Sequence, residues 1–129
     1  MLTIVALVLA ADLGNPKDLP EQENALKVAK YFTDAVASGD RETLIYLADA
    51  DSLAARKGDP PRSALNAYAA RLNRGACATD EDARTNKKTV NELKEAGKDV
   101  AGVRLFCAGG KYEDMKLRKA GTAWKVVIP

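Results

Sequence analysis

The residue types that most often carry chemistry in proteins are sparse in this sequence. The chain has 129 residues, no histidine, and two cysteines, Cys77 and Cys107. The absence of imidazole excludes Ser-His-Asp and Cys-His nucleophilic catalysis and histidine-ligated zinc sites. Carboxylates, hydroxyls, amines and thiols remain as the groups available for acid–base, metal-binding or redox chemistry.

The carboxylates do not follow a metal-binding pattern. Asp49, Asp51 and Asp59 are close in sequence, but the spacing of a calcium loop, with its glycine and closing glutamate, is missing. We interpret them as solvated residues near helix ends. Glu113 and Asp114 are expected to face solvent beside a hairpin. No metal site and no cofactor are predicted.

The two cysteines are expected to form a disulfide. They are not in a Cys-x-x-Cys motif, which argues against a redox-active pair or a metal site. A bridge between Cys77 and Cys107 would staple a helix end onto a strand, and it implies an oxidising compartment. The alternative is two unpaired core cysteines in a cytosolic protein.

Length and charge limit the class of protein. A chain of 129 residues with 47% hydrophobic and 29% charged side chains fits one globular domain. The net charge of +2 is too small to indicate nucleic-acid binding by bulk electrostatics. Basic residues are concentrated after residue 82, where Arg104, Lys116 and Arg118 are candidates for a basic sheet face that meets an acidic partner. The alternative is an ordinary solvated face.

Residues 1–17 form an apolar N-terminal segment, and residues 18–129 form the single predicted domain. Met1 to Ala10 contain only Thr3 as a polar side chain, which matches the length of a signal-peptide apolar region and is too short for a membrane span. We expect a remnant of an export signal, and no membrane span in the mature domain. The alternative is a structural arm packed on the body or on a neighbouring molecule.

Three helices are predicted in the first half of the domain. The first is expected to open at Asp18–Glu21, to carry an apolar stripe from Ala25 to Val36, and to end at Gly39. Asp40 is expected to cap a second, Leu-rich helix. The third is expected to start at 59–61, with Leu65, Tyr68 and Leu72 on its inner face, and to end at Gly75.

In the second half of the domain, apolar and polar residues alternate with a period of two. Val103, Leu105 and Cys107 are expected on one face, followed by a turn at Gly109-Gly110, and Met115, Leu117, Trp124, Val126 and Ile128 continue the pattern. Residues 89–95 are ambiguous between helix and strand, and we favour a strand. The fold class is therefore α+β, with three N-terminal helices packed on a curved, four-stranded antiparallel sheet.

Two stretches resemble a known superfamily. The helix end Ala37-Ser38-Gly39-Asp40 and the terminal Leu117–Val126 run, with its Gly121-x-x-Trp124-Lys125-Val126 pattern, resemble the nuclear transport factor 2-like, or cystatin-like, superfamily over about residues 20 to 128. Within it, the chain looks most like small exported bacterial domains of unknown function, which are often lipoproteins. The resemblance implies a cone-shaped domain whose open end holds small apolar ligands.

The resemblance also allows a test for catalysis. The oxyanion-binding tyrosine of the ketosteroid isomerases in this superfamily would correspond to Phe32, which has no hydroxyl, and their general-base aspartate to Arg56, which does not accept a proton. Tyr31 and Asp51 would replace them only in a shifted register. We therefore expect no enzymatic activity of this type.

The expected function is binding or assembly in the bacterial envelope, in the periplasm or as a secreted protein. The candidate pocket residues are Phe32, Tyr68, Phe106 and Trp124, and the alternative for these four aromatics is simple core packing. The expected partner is a second copy, an envelope protein or a small apolar ligand. The alternatives are a small-molecule carrier, an isomerase- or dehydratase-like enzyme that uses the cone pocket, and a periplasmic module of a secretion or conjugation apparatus.

Overall fold

The computed structural model describes residues 15–54, 62–80, 90–95 and 97–129, so most of the predicted N-terminal segment lies outside it. A 3₁₀ turn spans Pro16–Asp18. The helices are α1 (Ala25–Ser38), α2 (Arg41–Leu47), α3 (Ala50–Ala54) and α4 (Ser63–Arg74), and the strands are β1 (Val90–Glu95), β2 (Lys98–Phe106), β3 (Tyr112–Ala120) and β4 (Ala123–Val126). The α+β class is confirmed, and none of the described helices is long and apolar enough to cross a membrane.

Helix α1 begins later than the sequence pattern indicated. Its N-cap is Asn24, whose side chain accepts hydrogen bonds from the backbone N–H groups of Leu26 and Lys27. The predicted start at Asp18–Glu21 was wrong, because Glu21 has a φ of 57° and interrupts helical geometry. The preceding chain is held instead by Gln22, whose amide nitrogen donates to three backbone carbonyls of residues 16, 17 and 19.

The helical layer contains four described α-helices where three were predicted. Gly39 ends α1 with a φ of 74°, and Asp40 caps α2 through Thr43, as expected. The additional helix, α3, follows directly because Asp49 accepts a hydrogen bond from the backbone N–H of Ser52 at 3.0 Å. The predicted start of the third helix at 59–61 lies outside the described residues, and α4 begins at Ser63.

The four described strands form one antiparallel sheet in sequence order. Val90–Glu95 is a strand, as favoured above, and pairs Val90 with Val103 and Glu95 with Lys98. The β2–β3 connection is longer than a two-residue hairpin, because Cys107 to Lys111 separate the strands and Ala108–Gly110 form a 3₁₀ turn. Both glycines of that turn have φ near 75°, which explains why glycine occurs there.

The sheet packs its alternating apolar residues against the helices. On β2 the fully buried inward residues are Ala101, Val103 and Leu105, and their partners on β3 include Leu117 and Met115. One contiguous core contains these side chains together with the apolar stripes of α1, α2 and α4. Burial of this apolar surface is the main stabilising contribution to a domain of this size.

A disulfide joins the end of α4 to the end of β2. Cys77 and Cys107 are bonded, as predicted, and their Cα atoms are 4.0 Å apart. The backbone reinforces the same junction, because Ala78 and Phe106 exchange two hydrogen bonds of 3.0 and 2.8 Å, and the N–H of Ala108 donates to Gly75 at 2.8 Å. The disulfide therefore fixes the C-terminal part of α4 relative to the β2–β3 connection.

A partly buried ion pair joins Asp49, directly before α3, to strand β3, so the prediction that Asp49 is solvated was wrong. Arg118 Nη1 on β3 donates to Asp49 Oδ2 at 2.9 Å, and the Asp49 side chain is 7% exposed. The backbone N–H of Asp49 also donates to Val126 O at 2.7 Å, and Ala48 forms a parallel bridge with Val126. The α2–α3 junction is thus attached to the edge of β4.

Candidate ligand-binding site between α4 and the sheet

Three of the four predicted pocket aromatics belong to the core. Phe32, Tyr68 and Trp124 are 0%, 4% and 2% exposed, and the rings of Phe32 and Tyr68 have centroids 5.9 Å apart. The indole N–H of Trp124 donates to Glu23 O at 2.8 Å. These three side chains are part of the core that fills the space between the helices and the sheet.

The assignment of Phe106 to this group was wrong. Phe106 is 39% exposed and has the opposite orientation to Leu105, because side chains alternate between the two faces of a strand. It lies directly opposite Tyr112 on β3, which is 56% exposed. These two aromatics form an exposed pair on the outer face of the sheet.

The predicted basic sheet face is largely neutralised. Arg104 Nε donates to Asp114 Oδ1 at 2.9 Å, and its guanidinium lies 3.8 Å from the ring centroid of Tyr112. Arg118 is paired with Asp49, as described above. Lys116 shares the outer face by its register opposite Gly102. Arg104 and Arg118 therefore do not provide unpaired charges for an acidic partner.

Polar groups converge at the end of the sheet that faces α4. Tyr68 and Arg71 are three residues apart on α4, and the Arg71 guanidinium is 5.2 Å from the centroid of the Tyr68 ring. Arg71 Nη2 also donates to Glu113 Oε1 on β3 at 3.1 Å. We call Tyr68, Arg71 and Glu113 the Tyr68 cluster. The disulfide fixes α4 relative to β2, and β2 pairs with β3. It therefore stabilises the relative position of the α4 and β3 residues in the Tyr68 cluster.

The hydroxyl of Tyr68 has no hydrogen-bond partner in the described part of the chain. The Tyr68 side chain is only 4% exposed. Among the described residues, the only fully enclosed side-chain polar atom without a partner is Gln22 Oε1. A hydroxyl that no described residue bonds is able to donate to or accept from a ligand or water.

The electrostatics of the cluster keep this hydroxyl neutral. Burial raises the pKa of Tyr68 to about 12, while the Arg71 cation lowers it and the Glu113 carboxylate raises it by smaller amounts. The cluster thus combines a hydroxyl that donates or accepts, a guanidinium that donates, and a carboxylate that accepts. These groups are able to donate to and accept from a small polar ligand.

The raised pKa of Tyr68 predicts a loss of stability in alkaline solution. The folded-state pKa of about 12 lies above the ordinary value of 10.0, so the stabilisation is complete below pH 10 and is lost as the pH rises through 12. We expect the free energy of unfolding to be about 2 kcal/mol lower at pH 11.5 than at pH 9 because of this residue. Urea denaturation at the two pH values measures it, and Tyr68→Phe should remove that part of the difference. An equal loss in the variant would contradict the assignment.

The other residues considered for catalysis lie elsewhere. The hydroxyl of Tyr31 donates to Pro20 O at 2.9 Å, outside the core, and Asp51 is an exposed residue of α3. Arg56 and Asp59 lie outside the described residues. Within the part of the chain that the structure describes, no three His, Cys, Asp or Glu side chains are grouped as metal ligands.

Sequence reasoning did not find Arg71 and Glu113. Glu113 was expected to face solvent with Asp114, but only Asp114 does, with a 61% exposed side chain. The strand alternation held the necessary information, since Glu113 is two residues before Met115 and therefore lies on the same face. The pairing with Arg71, 42 residues away, depends on how α4 is seated on the sheet.

Helices packed on one antiparallel sheet make this chain an α+β domain. The chain belongs to the family described as "Putative lumazine-binding", whose model matches residues 20–128. This family has a nuclear transport factor 2-like fold, in agreement with the superfamily resemblance. No curated protein and no solved structure matches the chain. The cystatin-like comparison and the narrower resemblance to exported lipoproteins stay predictions.

Proposed function

We propose that this chain is a non-catalytic domain that binds a small planar heterocycle at the Tyr68 cluster. The observation that carries the proposal is the hydroxyl of Tyr68, which has no hydrogen-bond partner among the described residues and belongs to a side chain that is only 4% exposed. Arg71 and Glu113 flank it with donors and acceptors, and both side chains are partly exposed, at 48% and 28%. They are thus able to exchange their mutual ion pair for contacts with a ligand at little cost.

The family name supports a ligand of the lumazine class. Lumazine is a fused two-ring heterocycle with carbonyl oxygens and ring N–H groups, and such an edge pairs with a hydroxyl, a guanidinium and a carboxylate. The ring of Phe32, whose centroid is 5.9 Å from that of Tyr68, packs against the Tyr68 ring on its inner side, in the core. Phe32 also supports the non-catalytic part of the proposal, because an isomerase of this fold would need a hydroxyl at that position.

Binding of lumazine tests this proposal. Trp124 is the single tryptophan of the chain and belongs to the same core as Tyr68, so ligand binding is expected to change its fluorescence. We expect Tyr68→Phe to weaken lumazine binding about five- to tenfold, the effect of one hydrogen bond. Tyr112→Phe, which removes a hydroxyl on the outer face, is the matched control and should bind as the wild type does. Equal affinities for Tyr68→Phe and the wild type, or no binding by the wild type, would contradict the proposal.

We also propose that the domain acts outside the cytoplasm, in the periplasm or envelope. The Cys77–Cys107 disulfide supports this location, because such bonds persist in oxidising compartments. The exposed Phe106 and Tyr112 pair supports contact of the outer sheet face with a second copy or an envelope protein, since aromatic residues are enriched at interfaces. Sedimentation velocity of the samples used for the lumazine titration reports whether two copies associate.

A further inference from the structure

A second cavity lies on the helical side of the molecule, away from the sheet. It has a volume of about 230 Å³ and is enclosed by the chain after the 3₁₀ turn, the C-terminal half of α1 and the start of α2. Leu19, Tyr31 and Ala35 provide its apolar walls. We call it the α1–α2 groove. None of its lining residues belongs to the Tyr68 cluster.

Each hydroxyl group that lines the groove donates a hydrogen bond to another group of the protein. Tyr31 Oη donates to Pro20 O at 2.9 Å, and Ser38 Oγ donates to Ala35 O at 3.4 Å. Thr43 Oγ1 donates to Asp40 Oδ2 at 2.7 Å. Each hydroxyl oxygen keeps lone pairs after this donation. As they are bonded in the structure, the three hydroxyls present lone pairs to a ligand.

The charged groups that line the groove are acceptors as well. Asp34 and Asp40 are carboxylates, and Lys30 Nζ pairs with Asp34 Oδ2 at 2.8 Å, which leaves Oδ1 without a bond in the described part of the chain. The groove also lies at the C-terminal end of α1, where the helix dipole places negative charge, and at the start of α2, where the opposite charge of that helix end is offset by its N-cap Asp40. The last turn of α1 contains no basic residue to offset that charge.

We propose that the α1–α2 groove is a binding site for a small organic ammonium ion with an apolar body. Its polar side chains, as they are bonded in the structure, present acceptors, which favours a ligand rich in donors such as a protonated amine. The carboxylates add charge complementarity, and the ring of Tyr31 adds a surface on which a cation is favoured. Leu19 and Ala35 receive the apolar part of the ligand.

Paired probes of equal shape test this site in the full chain. n-Butylammonium and n-butanol differ mainly in the charge and the number of donors, and NMR amide shifts locate where each binds. We expect n-butylammonium to shift the amides of Asp34, Ala35 and Thr43 and to bind about ten times more tightly than n-butanol, the ratio expected when a charge-assisted hydrogen bond replaces a neutral one. Equal affinity of the two probes, or shifts outside the groove, would overturn the proposal.

Two variants provide the residue-level test. Asp34→Asn keeps the size of an exposed side chain and removes its charge, and we expect n-butylammonium to bind about three- to tenfold more weakly. Asp51→Asn removes an exposed carboxylate on α3, outside the groove, and should leave binding unchanged. Ser38→Ala, which removes one acceptor, should weaken binding by a smaller factor. Unchanged binding in Asp34→Asn, with an amide spectrum that shows the native fold, would also overturn the proposal.

Discussion

Replacement of both cysteines by alanine is expected to lower the free energy of unfolding by about 3.5–4 kcal/mol. The bond between Cys77 and Cys107 spans a sequence separation of 30, and the chain-entropy model assigns this amount to a loop of that length. The effect arises in the unfolded chain, which gains freedom when the link is absent. Because the hydrogen bonds between Ala78 and Phe106 remain, we expect the variant to fold with native secondary structure.

Urea denaturation of the double variant under non-reducing conditions measures this loss. The wild-type protein in excess reductant should show a decrease of the same size, because it loses the same link without any change of side-chain volume. Both cysteines are in the bond, so no free thiol complicates the comparison. An unchanged urea midpoint of the wild type after reduction would contradict the prediction.

Removal of the Asp49 carboxylate is expected to cost about 3–5 kcal/mol. Asp49→Ala leaves the partly buried Arg118 cation without its partner and removes the N-cap of α3. Asp49→Asn should cost less, because an asparagine oxygen still caps the helix. The carboxylate is 7% exposed, so water does not replace the lost contacts.

The chain contains a matched control for this prediction. Asp114 also pairs with an arginine at 2.9 Å, but the side chains of Asp114 and Arg104 are 61% and 42% exposed. Asp114→Ala should therefore cost less than about 1 kcal/mol. Urea denaturation of the two alanine variants compares buried and exposed pairs of identical chemistry. Similar costs for Asp49→Ala and Asp114→Ala would show that burial is not the deciding factor.

Local patterns in the sequence predicted much of the fold. The stripe of α1, the cap at Asp40 and the period-two alternation of β2 to β4 each record which face of an element is buried, and that information lies within a few residues. The disulfide was predicted from two cysteines outside any Cys-x-x-Cys motif together with the apolar N-terminal segment, which suggested export to an oxidising compartment. The start of α1 was misplaced, since Asp18 and Pro20 form a start pattern that the left-handed backbone at Glu21 overrides.

The candidate site was less accessible, because its parts meet only after folding. Tyr68 was expected to be buried, and it is, but its neighbours Arg71 and Glu113 come from different elements. The separation of 69 residues between Asp49 and Arg118 poses the same difficulty. Pairings of this kind depend on the register of a helix against a sheet, which no short pattern specifies. Phe106 was misassigned although the alternation with Leu105 already placed it on the outer face.

The attachment of the α2–α3 junction to β4 has a consequence for association between chains. An unpaired strand edge is a template on which another polypeptide can add a strand, and this is a route to aggregation. On the β4 side, the carbonyl of Val126 already accepts the N–H of Asp49 at 2.7 Å, and Ala48 occupies the position that an incoming strand would take. The backbone of Ala48 and Asp49 thus covers this edge of the sheet. A foreign strand must displace these two residues before it pairs with β4.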